Sequence, residues 1–302
     1  MNKVLITGAS GFIGRHCLPL LVAQGYEVHI ISRYPGWIEN LDVHWHQVDL
    51  FDRAAIQTVM TRVRPSHLLH LAWYAVPGKY WTGLENFQWV QVSLDLVRAF
   101  AEYGGKRIVS AGSCAEYDWR YGYCQANITP IAPQTPYGTC KQAFSLMLES
   151  FCQQTDISCT WGRIFWLYGR YEDPNRLVSS VIRSLLSDRI AQCSAGVQIR
   201  DFLYVRDVAD ILVRLLSSKL VGAIDIGSGI PISIRSLVEY IADRLDRSSL
   251  VEFGAIPPKS LEATLVVANP ERLRSELNWY PQYDLAGGIT ETINFWKQEI
   301  AV

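Results

Sequence analysis

Short apolar runs alternate along much of this chain with longer stretches whose apolar residues recur every three or four positions. The runs at 3–7, 27–31, 43–48, 67–71, 107–111, 158–164 and 223–226 read as strands. Between them, 11–24, 54–63, 85–103, 137–154 and 205–217 carry helical periodicity. Alternation of this kind predicts an α/β fold with a doubly wound parallel sheet, and seven strands exceed a single mononucleotide-binding half. After Phe165 the rhythm loosens, and Pro and Gly punctuate 168–174, 227–231 and 254–258. The expected division is a sheet domain over 1–165 plus 197–228, with a smaller, interleaved region from 166–196 and 229–302.

Composition narrows the function classes. The 302 residues suffice for a sizeable core. A net charge of -1 with scattered Lys and Arg lacks the basic footprint of a nucleic-acid binder. No apolar stretch approaches the roughly 20 residues of a membrane span, and the chain enters a strand after two residues without a signal-like segment, so a cytoplasmic location is expected. Seven cysteines without a CxxC pair or regular spacing imply reduced, buried thiols. All six histidines fall at or before His70. His44-Trp45-His46 alternates as a strand would, and no Cys/His/carboxylate cluster in the sequence completes a coordination shell, so no metal is expected.

Two distant segments carry chemistry. Thr7-Gly8-Ala9-Ser10-Gly11-Phe12-Ile13-Gly14 follows a strand and opens a helix, the context of a dinucleotide-binding turn. Gly8 permits the tight turn, Gly11 the approach of a pyrophosphate, and Gly14 close helix–sheet packing. The helix start, from Ser10 through Phe12 and Ile13, offers N–H groups to the phosphates. In Tyr137-Gly138-Thr139-Cys140-Lys141, helical spacing puts a phenol and an ammonium on one face. A nearby cation favours the phenolate and brings tyrosine toward general acid–base work. At the end of the second strand, Ser32-Arg33 replaces the carboxylate that an NAD site uses for the ribose 2'-hydroxyl. Arg33 suits a 2'-phosphate, so NADP(H) is expected over NAD(H); Arg33 as a solvated loop cation is the other reading.

The turn has G-x-x-G-x-x-G spacing, and with it the chain resembles the extended short-chain dehydrogenase/reductase family of nucleotide-sugar epimerases, dehydratases and reductases. The likeness extends over Val48-Asp49-Leu50, His70-Leu71-Ala72, Ser110 to Tyr117, Tyr137-xxx-Lys141, Arg163 to Gly169, Arg200 to Ala209, and Ile226-Gly227-Ser228-Gly229. It implies a Rossmann sheet and a nucleotide-sugar substrate. It also implies a homodimer built on helices 85–103 and 137–154. By the same resemblance Asp49 and Leu50 lie at the adenine, while Leu71, Ala72, Trp73 and Ala111 line the cofactor. Ser113, Tyr137 and Lys141 form the catalytic set, with Ser110 in place of Ser113 if the loop register shifts.

For the substrate, the resemblance points to Tyr74, Ser113, Cys114, Tyr117 and Trp166, with Asn175, Arg176 and Arg200 toward the diphosphate. Arg200 could instead pair with Asp201 or Asp207. Dehydratases of the family carry Asp-Glu after the catalytic hydroxyl, where this chain has Cys114-Ala115, so dehydration is disfavoured. Trp89 and Trp166 stand where the family often has Asn, and with Tyr80-Trp81 and Trp119 they imply an aromatic pocket. The resemblance leaves three readings: an NADPH-dependent reductase of a nucleotide-linked 4-keto-6-deoxysugar, a nucleotide-sugar epimerase, and a non-catalytic dinucleotide-binding protein.

Overall fold

Seven parallel strands form the larger sheet of the computed structural model, which describes residues 2–34, 41–257 and 263–301. Its first members are β1 (Lys3–Thr7), β2 (Glu27–Ser32), β3 (Val43–Gln47), β4 (His67–His70) and β5 (Arg107–Ser113). After a short β6 (Tyr123–Cys124) that belongs elsewhere, β7 (Ser158–Ile164) and later β11 (Gly222–Ile226) complete it. The order β11-β7-β5-β4-β1-β2-β3 reverses direction at β1, so a crevice opens at the carboxyl ends of β1 and β4.

Alternate residues of β1 are buried on opposite faces. Val4 and Ile6 join Cys17, Leu18 and Leu21 of α1 (Gly14–Ala23) and the apolar side of α6 (Val205–Ser217). Leu5 joins α2 (Arg53–Val63), α3 (Glu85–Glu102) and α4 (Pro136–Gln153). The strand and helix periods read from the sequence thus meet in one double-sided core. Two bounds differ in an informative way. The helix expected from residue 11 starts at Gly14, because Gly8 turns at φ +72° and its carbonyl accepts from Gly11 N at 3.0 Å. The strand expected to end at Ala111 continues to Ser113, since β7 pairs with it throughout.

A second sheet, β12-β10-β14-β6 with β8 beside β10, was not legible in the sequence. It joins β8 (Trp166–Tyr168), β10 (Ile199–Tyr204), β12 (Pro231–Ser233) and β14 (Leu265–Ala268) to β6 from the middle of the chain. A two-stranded pair, β9 (Ala191–Cys193) with β13 (Val251–Phe253), lies among α5 (Leu177–Leu186), α7 (Ile234–Arg244) and α9 (Leu285–Ile300), while α8 (Glu271–Ser275) packs on β11. Asp201 knits the second sheet to the turn after β11. Its carboxylate accepts from Ser228 N and Oγ, Gly229 N and Ala268 N.

All seven cysteines are buried and free. No helix among the described residues is long and apolar enough to cross a membrane. The histidines differ from expectation: β2 and β3 bring candidate ligand atoms of Glu27, His29 and His44 within 4.8 Å of one another, a cluster hidden in the sequence by strand separation.

A buried polar network joins β5, β7 and α4. Glu116 accepts from Ser113 N at 2.7 Å, Trp161 Nε1 at 2.9 Å and Arg163 Nε at 2.8 Å. Arg163 also donates to Tyr117 Oη and to Gln142 Oε1. Both charges are removed from water, so deleting one leaves the other uncompensated. Arg163→Met is therefore expected to destabilise the protein by about 3 kcal/mol, read from the urea midpoint; a loss within about 1 kcal/mol would contradict this account of the network.

Candidate active site

The glycine turn is built for close approach. At Gly8 a Cβ would lie 2.7 Å from Ala72 N, and at Gly14 it would overlap the Gly8 carbonyl and Ala9 Cα. At Gly11 it would meet only Gly8 O, at 3.1 Å, so the remaining side opens on the crevice. No side chain caps the start of α1, where Arg15 N is taken by Gly11 O and His16 N by Ile13 O, and the helix presents its positive dipole end there. Beneath the turn, Thr7 Oγ1 contacts His70 Nδ1 at 2.7 Å, and His70 Nε2 contacts Ser93 Oγ at 2.9 Å, locking the ends of β1 and β4 together. Burial pushes the His70 imidazole down to about 3, so it is neutral in this chain of bonds. A cradle of this shape, with donors and no blocking side chain, fits the diphosphate of a dinucleotide.

One cleft of about 450 Å³ runs from that turn to the second sheet. It is lined by Gly8, residues 10–14, Ser32, Arg33, Asp49, Leu50, Leu71, Ala72, Trp73, Ala111, Ser113, Cys114, Tyr137, Lys141, Trp166 and Arg176, so these sequence-derived candidates are gathered together. At the β2 end, Ser32 Oγ is tied to the Tyr34 backbone, and the exposed Arg33 guanidinium lies 5.8 Å from the Tyr34 ring. The nearby carboxylate, Asp49, accepts from Phe51 N at 3.1 Å and stabilises its own turn.

Four candidates lie outside the lining. Tyr117 is buried and donates from its hydroxyl to Asp225 at 2.6 Å, which makes it a core tie between the β5 loop and β11. Tyr74 is held toward Glu85 at the start of α3. Asn175 is exposed in a turn where its N–H is taken by Asp173. Arg200 is buried behind the wall, 4.9 Å over the Trp166 ring and bonded to Ile199 O. Asp201 and Asp207 are engaged by other donors: Asp207 caps the backbone of Gln282 and Tyr283. In place of the first four, Tyr34, Phe51, Tyr80, Trp81 and Trp89 contribute to the lining. The pair Tyr80-Trp81 and the lone Trp89 were readable as aromatic residues near the site; Tyr34 and Phe51 carried no signal beyond following the Ser32-Arg33 and Asp49-Leu50 pairs.

The reactive groups converge in the middle of the cleft. Thr135 Oγ1 caps α4 by accepting from Gly138 N, and Pro136 occupies the first turn, which fixes the helix start beside Tyr137. Tyr137 packs edge-on against Tyr80 and Trp81, with ring centroids 4.9 and 5.6 Å away. Burial and then Tyr80 push its phenol upward, while a hydrogen bond with Ser113 works in the opposite direction. Lys141 is buried; its Nζ donates to Ala111 O at 2.8 Å and sits 3.9 Å over the Trp73 ring. Burial pulls its ammonium down to about 7, and the Glu116 carboxylate resists. Trp73 is itself oriented by donating to Asn86 Oδ1. Without the added positive charge of an oxidised nicotinamide, Tyr137 is thus a protonated acid, in contrast to the lowered phenol expected from the sequence. Glu116, the acid nearest Ser113 in sequence, points into the buried network and away from the cleft.

Residues 4–227 match the family described as the NAD dependent epimerase/dehydratase family. The chain belongs to this family. Membership makes it an NAD(P)-dependent enzyme of the extended short-chain dehydrogenase/reductase type, a type whose similar members below are nucleotide-sugar enzymes. Similar proteins include a CDP-abequose synthase of Salmonella typhimurium, 26% identical over 309 residues, covering 96% of this chain and 97% of the relative. A UDP-glucose 4-epimerase of Rhizobium meliloti is 26% identical, covering 98% and 97%. Among solved structures, the Thermus thermophilus UDP-glucose 4-epimerase in complex with NAD superposes with a TM-score of 0.84 at 25% identity, covering 98% of this chain and 99% of that one. Trp89 and Trp166, two of the tryptophans expected around the pocket, both line the cleft.

The two glycines of the turn separate binding from folding. Gly11→Ala is expected to keep the wild-type melting temperature and to bind dinucleotide at least about tenfold more weakly in a fluorescence titration, because its methyl enters the cradle. Gly14→Ala is expected to cost about 1–3 kcal/mol of stability through overpacking. Unchanged affinity in the Gly11 variant would contradict the placement of the diphosphate.

Proposed function

We propose that this enzyme is an NADPH-dependent reductase of a nucleotide-diphosphate-linked 4-keto-6-deoxysugar. The observation that carries the cofactor preference is the end of β2, where Ser32 and Arg33 line the cleft and the neighbouring carboxylate, Asp49, is committed to a backbone N–H. Among the described residues β2 itself ends in Ser32-Arg33 with no carboxylate, the charge of Asp49 is partly offset by the Phe51 N–H, and Arg33 lines the cleft where it can receive a 2'-phosphate. A bound reduced nicotinamide supplies the hydride. Ser113 Oγ–H donates to the keto oxygen and orients it, Tyr137 delivers its phenolic proton to that oxygen, and Lys141 holds the ribose hydroxyls while its charge eases proton loss from Tyr137. Cys114 and Ala115 provide no acid–base pair for dehydration.

In this reading 1–165 with 197–228, which carries the large sheet and lends β6 and β10 to the second, holds the cofactor, and 166–196 with 229–302 closes over the sugar. Arg176, 5.7 Å over the Tyr80 ring, is the cation facing the substrate side of the cleft. A homodimer through α3 and α4 accounts for their exposed Phe87, Leu146 and Met147. A second reading, a nucleotide-sugar epimerase that oxidises and re-reduces its substrate, draws support from the 4-epimerase relatives and from the NAD held by the Thermus protein.

Initial rates with a panel of nucleotide-4-keto-6-deoxysugars decide between them. NADPH oxidation is expected, with kcat/KM for NADPH at least about tenfold above that for NADH, and Arg33→Ala is expected to erase the preference; each tenfold step corresponds to about 1.4 kcal/mol. Sugar isomers without net oxidation would replace the reductase by the epimerase. In pH terms, Tyr137 stays protonated through neutrality, so the acid side of the kcat/KM profile is expected to be flat. Lys141 loses its proton as pH rises through about 7, so kcat/KM is expected to fall above that value. Lys141→Met should lower kcat/KM by at least about 100-fold and abolish the alkaline limb. A limb that persists in the variant would remove Lys141 from this role.

A further inference from the structure

At the far edge of the large sheet, away from the cleft lining, three side chains converge that the reaction does not use. β2 and β3 run parallel with His29 directly opposite His44 and Ile31 opposite His46, and β1 places Lys3 opposite Glu27. Glu27 and His29 are two residues apart on β2 and so share a face. The candidate ligand atoms of Glu27, His29 and His44 all lie within 4.8 Å of one another. The rings of His29 and His44 stack with centroids 4.8 Å apart. We propose that Glu27, His29 and His44 bind a divalent first-row transition ion of the zinc class, clipping edge strand β3 to β2.

The donor set is two imidazoles and one carboxylate, which suits Zn²⁺ and leaves a fourth position for water. Tetrahedral bonds of about 2.0–2.2 Å place ligand atoms roughly 3.4 Å apart, so the three groups close by side-chain rotation alone. His29 Nε2 now shares a proton with Glu27 Oε1 at 2.9 Å, and the ion takes that proton's place. The other nitrogen, His29 Nδ1, lies 3.0 Å from His46 Nε2. That is the outer-shell hydrogen bond that fixes the tautomer and ring angle of a metal-binding histidine. The alternation His44-Trp45-His46 acquires a physical meaning: one histidine ligates and the next orients a ligand. Two cations oppose the ion. Lys3 Nζ is 3.3 Å from Glu27 Oε1 and must swing off that oxygen, which its exposed side chain allows; Arg62 of α2 faces His46.

The test uses tag-free, chelator-treated full-length protein. Isothermal titration with Zn²⁺ is expected to show one equivalent bound, and the melting temperature to rise by at least about 2 °C with excess Zn²⁺. Substituting Co²⁺ is expected to give visible absorption bands without a thiolate charge-transfer band. His44→Ala, at an exposed position, should lose the equivalent and the thermal shift, and Glu27→Gln serves as a second variant should the first fail to fold. His46→Ala is expected to weaken binding about 10–100-fold. No binding to the wild type, binding unchanged in His44→Ala and Glu27→Gln, or a cobalt spectrum dominated by thiolate would each overturn the proposal. None of these readouts depends on the reductase reading.

Discussion

The buried ion pair between Glu116 and Arg163 is the constraint on which the site depends. Glu116 holds the backbone at Ser113 and the indole of Trp161, while Arg163 reaches Tyr117 and Gln142, the residue after Lys141. Through Tyr117 the network continues to Asp225 on β11, which also takes Ala126 N. A loop, two central strands and the start of α4 are thereby fixed to one another by charge-assisted bonds in a region that water does not reach. Such a network costs desolvation energy, and its return is geometry: it holds the backbone at Ser113 and, through Gln142, the start of the helix that carries Tyr137.

The same burial sets the chemistry. Lys141 is lowered because it sits beneath Trp73 with one carbonyl partner, and Tyr137 is raised because Tyr80 and Trp81 enclose it. An aromatic wall from Tyr80 and Trp81 through Trp119 to Trp166 continues from the reactive groups to the second sheet. A wall of ring faces of this kind suits the C–H surface of a sugar ring.

Much of this was legible in the sequence because it depends on local rules. Strand and helix periods gave the seven-stranded sheet, and the glycine turn needs only neighbours to be recognised. Tyr137 and Lys141 are one helical turn apart, so a single segment carries their relation. The remainder depends on distance in the chain. Tyr117 looked like a pocket residue until the fold set Asp225 against its hydroxyl from over a hundred residues away. Arg200 looked like a cation for the diphosphate, yet the fold buries it over Trp166 behind the cleft wall, and the neighbouring Asp201 faces Ser228 and Ala268. The second sheet drew β6 from a segment too short to show a period, and the Glu27, His29 and His44 cluster needed the β2–β3 register to exist at all.

The most direct measurement of the central claim is isotope transfer from NADPH deuterated at the transferable position of the nicotinamide. After turnover with the keto sugar, the reductase account expects deuterium at the newly formed carbinol carbon in stoichiometric amount, seen by NMR and by a one-unit mass increase in the sugar. Product without deuterium, formed while the labelled NADPH remains unconsumed, would contradict it and leave internal hydride return in an epimerase as the chemistry of this site.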